Sequence, residues 1–316
     1  MRSGTSLISH VLGTHSRIAI FYESYLYNYF RSELRYYGDL NKTSNLHRLI
    51  ANIQQAMAAR GITPPPLNEI EAAVAKRTFP GVFEAVLHLY ARNRGKKRAG
   101  DKTPDHHLYL SEILRDFPES PIVFVVRDPR DTALSHRTAF GSTIEVGARA
   151  WKEAFASYSK VHQSLILLRY EELARAPETT VATLCRSIGE KFEPTMLRFF
   201  ERVPKWLSHE KSHRKLTSPI DSSSVGTFRQ MTSGEIETIE SICGEGMAAM
   251  GYMLTTTRKI KVSSSRTRLA FLRKLLDRLQ YYFSAKERWK VGLVRWKMML
   301  RVRLRYWLTF ASFRAR

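Results

Sequence analysis

Cysteine is nearly missing from this chain. Cys185 and Cys243 are the only two in 316 residues, too few for a disulfide framework or a zinc cluster. Each sits in an apolar helical context and reads as a packed small side chain. No run reaches the roughly 18 apolar residues that a membrane span needs, and the opening residues do not read as a signal peptide. His, Cys, Asp and Glu nowhere fall at metal-ligand spacing, so no metal is expected. No Gly-Lys-Thr or Gly-Lys-Ser closes a phosphate loop. No acid ends the buried run Ile122–Val126, because Arg127 follows at once. Both absences count against ATP or GTP hydrolysis, in which a magnesium ion carries much of the charge stabilisation. Acids are also scarce at one end. From Thr256 to Arg316, 18 Lys or Arg face only Asp277 and Glu287, whereas the first 255 residues contribute just +6 to the total charge of +22. A nucleic-acid partner would rest on that tail alone and is not expected.

What the chain does have is enough apolar residue, 43%, for one large α/β domain or a domain with an appendage. The charge break suggests a domain over residues 1–255 and a basic helical tail over 256–316. Residues Arg2-Ser3-Gly4-Thr5-Ser6 lead straight into Leu7-Ile8-Ser9-His10-Val11-Leu12. Small and hydroxyl residues at a helix start expose amide groups that nothing inside the helix satisfies, which suits a phosphate. The plainer alternative is an ordinary N-terminal cap. Such a loop normally follows a buried strand. The expectation is therefore a P-loop-like parallel sheet flanked by helices that lacks its first strand, unless the start lies upstream.

Strands are expected at 17–21, 122–126 and 165–169, the last two as continuous apolar runs. Helices are expected over 5–13, much of 24–60, 67–76, 79–92, 131–139, 147–162, 177–188 and 234–250. Alternating strands and helices point to a parallel sheet with helices on both faces. Residues 192–230 read as irregular. Arg127 at a strand end, with Ser135 on the following helix, can grip one phosphate by a planar fork and a hydroxyl. The alternative is an Arg127–Asp128 salt bridge at the strand end and a surface serine.

These segments together resemble the sulfotransferases that use 3'-phosphoadenosine 5'-phosphosulfate. Arg2 through Ser6 resembles the family's 5'-phosphosulfate loop, and Arg127 through Ser135 its 3'-phosphate segment. Arg169-Tyr170-Glu171-Glu172-Leu173 with Pro177 resembles a later strand-to-helix segment. Phe21-Tyr22-Glu23 and Asp101-Lys102-Thr103-Pro104 resemble the tyrosylprotein and bacterial branches. The resemblance spans residues 2 to about 253. It implies that Arg2, Thr5 and Ser6, with the Ser3 and Gly4 backbone, bind the 5'-phosphosulfate. Arg127 and Ser135 would take the 3'-phosphate, with Tyr170 helping to hold the nucleotide. Arg229, in Val225-Gly226-Thr227-Phe228-Arg229, would add a 3'-phosphate or adenine-side contact. Glu23 is implied as general base, its carboxyl raised by burial among Tyr22, Tyr25 and apolar neighbours. Lys102 would stabilise the moving sulfuryl group, and Arg2 the leaving 5'-phosphate. His106 and His107 are weaker candidates for the base, and His10 reads as packing in or beside the first helix.

The acceptor is left open among carbohydrate hydroxyls, lipid or natural-product alcohols and tyrosines. Seven aromatic residues lie between Tyr22 and Tyr37. They suit stacking on a sugar or flanking a lipid, but a helical aromatic stripe is more often packing. The tail pairs helical leucine spacing with Arg and Lys. This suits an anionic membrane surface, self-association, or docking on the body. The expected compartment is the cytoplasm or the periphery of a membrane. Two rival functions stand beside the transferase: a non-catalytic binding or scaffold protein that keeps only the fold, and a small-molecule kinase needing ATP and magnesium.

Overall fold

A computed structural model of the chain describes residues 2–203 and 215–256. The basic tail, and with it the expected helix and its membrane or self-association surface, lies outside the described residues. In chain order the elements are α1 (Thr5–Thr14), β1 (Ile18–Tyr22), α2 (Leu26–Phe30), α3 (Thr43–Ala58), α4 (Leu67–Ala73), α5 (Phe79–Arg92), β2 (Arg98–Lys102), α6 (Leu110–Asp116), β3 (Val123–Val126), α7 (Pro129–Phe140), α8 (Ile144–Ser159), β4 (Ile166–Arg169), α9 (Tyr170–Arg175), α10 (Pro177–Ser187) and α11 (Ser233–Ala249). The described residues fall into two compact units, residues 2–20 with 107–203 and 215–256, and residues 21–106. Among the described residues no helix is long and apolar enough to cross a membrane.

In the first unit β3 and β4 pair in parallel, from Val123 opposite Ile166 to Val126 opposite Arg169. Alternate β3 residues enter different cores, as the two-residue period of a strand requires. Val125, with Leu168 of β4, packs against Ile8, Val11 and Leu12 of α1 and Leu184 of α10. Phe124 and Val126 pack with Trp151 of α8 and Ile239 and Cys243 of α11. Helices therefore cover both faces, and the expected α/β arrangement around a parallel pair is present. Both cysteines are buried free thiols.

Local chemistry sets the helix ends. Asp128 accepts the Arg130 amide, Pro129 stands at the first turn of α7, and Gly141 closes it at φ 66°. Thr232 and Glu235 form a reciprocal capping box on α11. Gly147 lets α8 approach α7 closely, since a Cβ there would lie 2.7 Å from the Ala133 Cα.

The second unit buries Leu46, Leu49, Ile50 and Ile53 of α3, Ile70 of α4, and Val82 and Val86 of α5. Tyr27 meets Phe79 and Phe83 edge-on at 5.2 and 5.4 Å. Tyr27, Tyr29, Phe30 and Tyr37 are all buried, so much of the tyrosine-rich stretch is packing. The sheet differs from expectation. Among the described residues there are two two-stranded sheets, β1 with β2 and β3 with β4, rather than one larger sheet. The partner of β1 is Arg98-Ala99-Gly100-Asp101-Lys102, a polar strand without an apolar period. It is held by backbone pairing, which composition does not announce.

Candidate active site

The first unit brings together the two segments expected to bind anions. Arg2 Nε donates to Ser135 Oγ at 3.2 Å. Arg127 Nη1 donates to the Arg2 carbonyl at 3.4 Å, and Nη2 to the Ser224 carbonyl at 2.5 Å. The Arg127 guanidinium also lies 4.7 Å over the Tyr170 ring. That ring backs Gly4, which sits at φ 94°, and a Cβ on Gly4 would come within 2.5 Å of it. Gly4 is thus required both by its left-handed backbone and by the close approach of Tyr170. Thr5 and Ser6 occupy the first turn of α1, whose N-terminus has no side-chain cap and no acid. Its first amides are in place for an anion.

The alternative Arg127–Asp128 pair does not form. Asp128 instead pairs with Arg130 at 2.7 Å, and Arg130 reaches Glu240 at 2.7 Å. Asp131 has a role that its place in the sequence does not suggest. It accepts the Gly226 and Phe228 amides, each at 2.8 Å, and the Thr227 hydroxyl at 2.9 Å. This fixes the loop whose Ser224 carbonyl receives Arg127. Arg229, on the same loop, is exposed and contacts its own turn, Gly226 and the Phe228 ring. It does not join Arg127 and Ser135. His10 bonds to the Ser6 carbonyl of its own helix at 2.8 Å, as expected of a packing residue.

A 3',5'-bisphosphorylated nucleotide fits this donor set. Arg2, Ser3, Thr5, Ser6, Arg127 and Ser135 supply cations and hydroxyls. The buried Arg127 Nε has no hydrogen-bond partner among the described residues. Burial, then nearby positive charge including Arg2, pushes His136 down to about 4; the Asp131 carboxylate lies 3.9 Å from Arg127 Nη2. Among the described residues no group of three or more His, Cys, Asp and Glu could hold a metal ion.

The second unit holds Glu23 and Lys102. Lys102 Nζ donates to Glu23 Oε1 at 2.6 Å, Tyr25 donates its hydroxyl to Oε2 at 3.0 Å, and the Glu23 amide meets the Lys102 carbonyl at 2.7 Å. Lys102 also sits 3.6 Å over the Tyr22 ring. The expected upward shift of Glu23 is not found. Burial raises its carboxyl, but the charge and hydrogen bond of Lys102, helped by Arg60 and Tyr25, outweigh burial and hold it below its ordinary value. Burial draws the Lys102 ammonium down against Glu23 and Asp101.

Asp101 is an anchor that nothing in the local sequence marks. Ser24 donates its hydroxyl at 2.5 Å and its amide at 3.3 Å to this carboxylate, and Thr103 adds a hydroxyl at 3.4 Å. His106, half-buried, lies beside it, its Nε2 3.4 Å from the carboxylate. Burial keeps that imidazole below its ordinary value in spite of Asp101 and Asp105. The anchor is needed because Glu23 and Tyr25 stand at φ 58° and 55°, a conformation that costs about 1–3 kcal/mol each outside glycine. An Asp101→Ala variant should lose about 1–3 kcal/mol of stability, read as a lower urea midpoint with unchanged slope. A midpoint equal to the parent's would show that Ser24 and Thr103 hold the turn without it.

A sequence profile described as the sulfotransferase family, Sulfotransfer_3, matches residues 1–194. The chain belongs to the sulfotransferase family. Nodulation protein NoeE of Sinorhizobium fredii (strain NBRC 101917 / NGR234) is 22% identical over 284 residues. That alignment covers 79% of this chain and 64% of NoeE, so this sulfotransferase spans less than two thirds of its relative's length. Two solved structures are also similar to this chain. The sulfotransferase domain of the Synechococcus PCC 7002 olefin synthase has a TM-score of 0.49 at 17% identity, covering 77% of this chain and 91% of that one. The sulfotransferase domain of the curacin biosynthetic pathway has a TM-score of 0.48 at 15% identity, covering 80% and 95%.

Proposed function

We propose that this sulfotransferase moves a sulfuryl group from 3'-phosphoadenosine 5'-phosphosulfate to a hydroxyl of a carbohydrate, a lipid or natural-product alcohol, or a tyrosine. The observation that carries the reading is the junction of Arg2, Ser135 and Arg127. It joins two segments more than a hundred residues apart, each built for an oxyanion. The donor supplies an activated sulfuryl group whose bond to the 5'-phosphate oxygen breaks as the acceptor oxygen bonds to sulfur.

The chain's residues have distinct roles in this reading. Arg2, the α1 amides, Thr5 and Ser6 hold the 5' anion and meet the charge that develops on the leaving phosphate. Arg127 and Ser135 hold the 3'-phosphate, and Tyr170 fixes both Gly4 and Arg127. Glu23 accepts the acceptor proton. Lys102 shares its charge between Glu23 and the sulfuryl oxygens.

Calorimetry separates this reading from its rivals. Adenosine 3',5'-bisphosphate should bind in the low-micromolar range or tighter, without magnesium. Binding of ATP with magnesium, but not of the bisphosphate, would favour a kinase. Bisphosphate binding without turnover of any hydroxyl acceptor would favour a scaffold.

A further inference from the structure

Arg60 is a charge without a carboxylate. It follows α3, where a cation ordinarily bonds the last helix carbonyls. Among the described residues its guanidinium makes no hydrogen bond or ion pair, and its buried Nε has no partner. It lies 4.7 Å over the ring of Tyr25, whose hydroxyl is bonded to Glu23. That contact uses the face of the ring and none of the arginine's five N–H groups. The other charges of this cluster are engaged. Glu23 takes Lys102 and Tyr25, and Asp101 takes Ser24 and Thr103. Arg60, Tyr22, Glu23 and Tyr25 are all partly accessible.

We propose that Arg60 is the acceptor-recognition residue, and that it takes an oxyanion, a carboxylate or a sulfate or phosphate ester, carried by the molecule whose hydroxyl is sulfated. The proposal rests on the reading of Glu23 as the base. A guanidinium fork matches such a group with two parallel hydrogen bonds, where an ammonium would offer only a point charge. The Tyr25 ring stands between the arginine and the base, so it sets the spacing between the acceptor's anionic group and its reacting hydroxyl. Recognition also feeds back on chemistry. Arg60 is one of the positive charges holding the Glu23 carboxyl low. An anion on Arg60 cancels that influence, so an acceptor of the right charge strengthens the base that acts on it.

The test uses three hydroxyl carboxylates and their uncharged counterparts: glucuronate with glucose, 4-hydroxyphenylacetate with its amide, and 3-hydroxybutyrate with its amide. Each is titrated calorimetrically into the full-length protein, with and without saturating adenosine 3',5'-bisphosphate. At least one carboxylate should bind tenfold or more tighter than its counterpart. Arg60→Gln should erase that preference, and Arg60→Lys should keep part of it. Unchanged nucleotide affinity in both variants would report an intact fold. If no carboxylate binds, or if the preference survives in Arg60→Gln, the proposal is overturned. Failure of the parent protein to bind the bisphosphate would instead count against the sulfotransferase reading, while the titrations without nucleotide still decide Arg60.

Discussion

An Arg127→Ala variant should lose adenosine 3',5'-bisphosphate by about 100-fold or more, some 3 kcal/mol. Two losses combine. The variant removes a buried cation whose Nε is ready for a ligand. It also releases the Arg2 and Ser224 carbonyls, which that guanidinium draws together, so the 5' loop and the Ser224 turn lose a common tie. Arg127→Lys separates the effects. It keeps the charge but cannot span both carbonyls, and its affinity should fall between the two. Ser135→Ala should cost less, about 1 kcal/mol, because the serine contributes one hydroxyl and one contact to Arg2. Calorimetry that finds the Arg127→Ala protein binding as tightly as the parent would remove Arg127 from the nucleotide site.

The second large effect belongs to Glu23. Glu23→Gln should lower turnover by about 10²–10⁴-fold and leave bisphosphate affinity within twofold. It should also destabilise the protein, because Lys102 stays buried without its carboxylate, at a cost of about 3 kcal/mol. A Glu23→Gln, Lys102→Met double variant should recover much of that loss and none of the activity. The pH dependence follows from the depressed carboxyl. Glu23 stabilises the fold fully above its unfolded value of about 4.3, and that contribution fades as pH falls through the lower, folded value. The stability gap between parent and Glu23→Gln should therefore be widest near neutrality and close on acidification. Full turnover by Glu23→Gln with nucleotide bound would end its assignment as the base. A gap that does not vary with pH would mean that Glu23 is not held below its ordinary value.

What could be read in the sequence was chemistry tied to strong local patterns. Val123–Val126 is an unbroken apolar run because both its faces are covered, and Arg127 follows where the strand must end. The helix start after Gly4 was legible because small and hydroxyl residues stand directly before an apolar helical run. Contacts between distant residues were not legible. Strand β2 carries Gly100 between two charged ends, and its pairing lies in the backbone. Asp131 and Asp101 look like ordinary acids beside an arginine and a lysine, and only the fold brings them Gly226 and Ser24. The left-handed turn at Glu23 and Tyr25 had no glycine or asparagine to mark it. The pattern of Phe21-Tyr22-Glu23 pointed to a carboxylate that the fold does bury beside a lysine, but that lysine, Lys102, reversed the shift that burial alone implies.

The way the chain is partitioned sorts its candidate residues along the sequence. Among the described residues, everything from Phe21 to His106 is one uninterrupted insertion into the unit that carries Arg2, Arg127 and Ser135. Glu23, Arg60 and Lys102 all travel inside it. Arg2, Arg127 and Ser135 all lie outside it. Under the proposed roles, a change confined to that one contiguous piece of gene would alter the base, its lysine and Arg60 together and leave Arg2, Arg127 and Ser135 as they are.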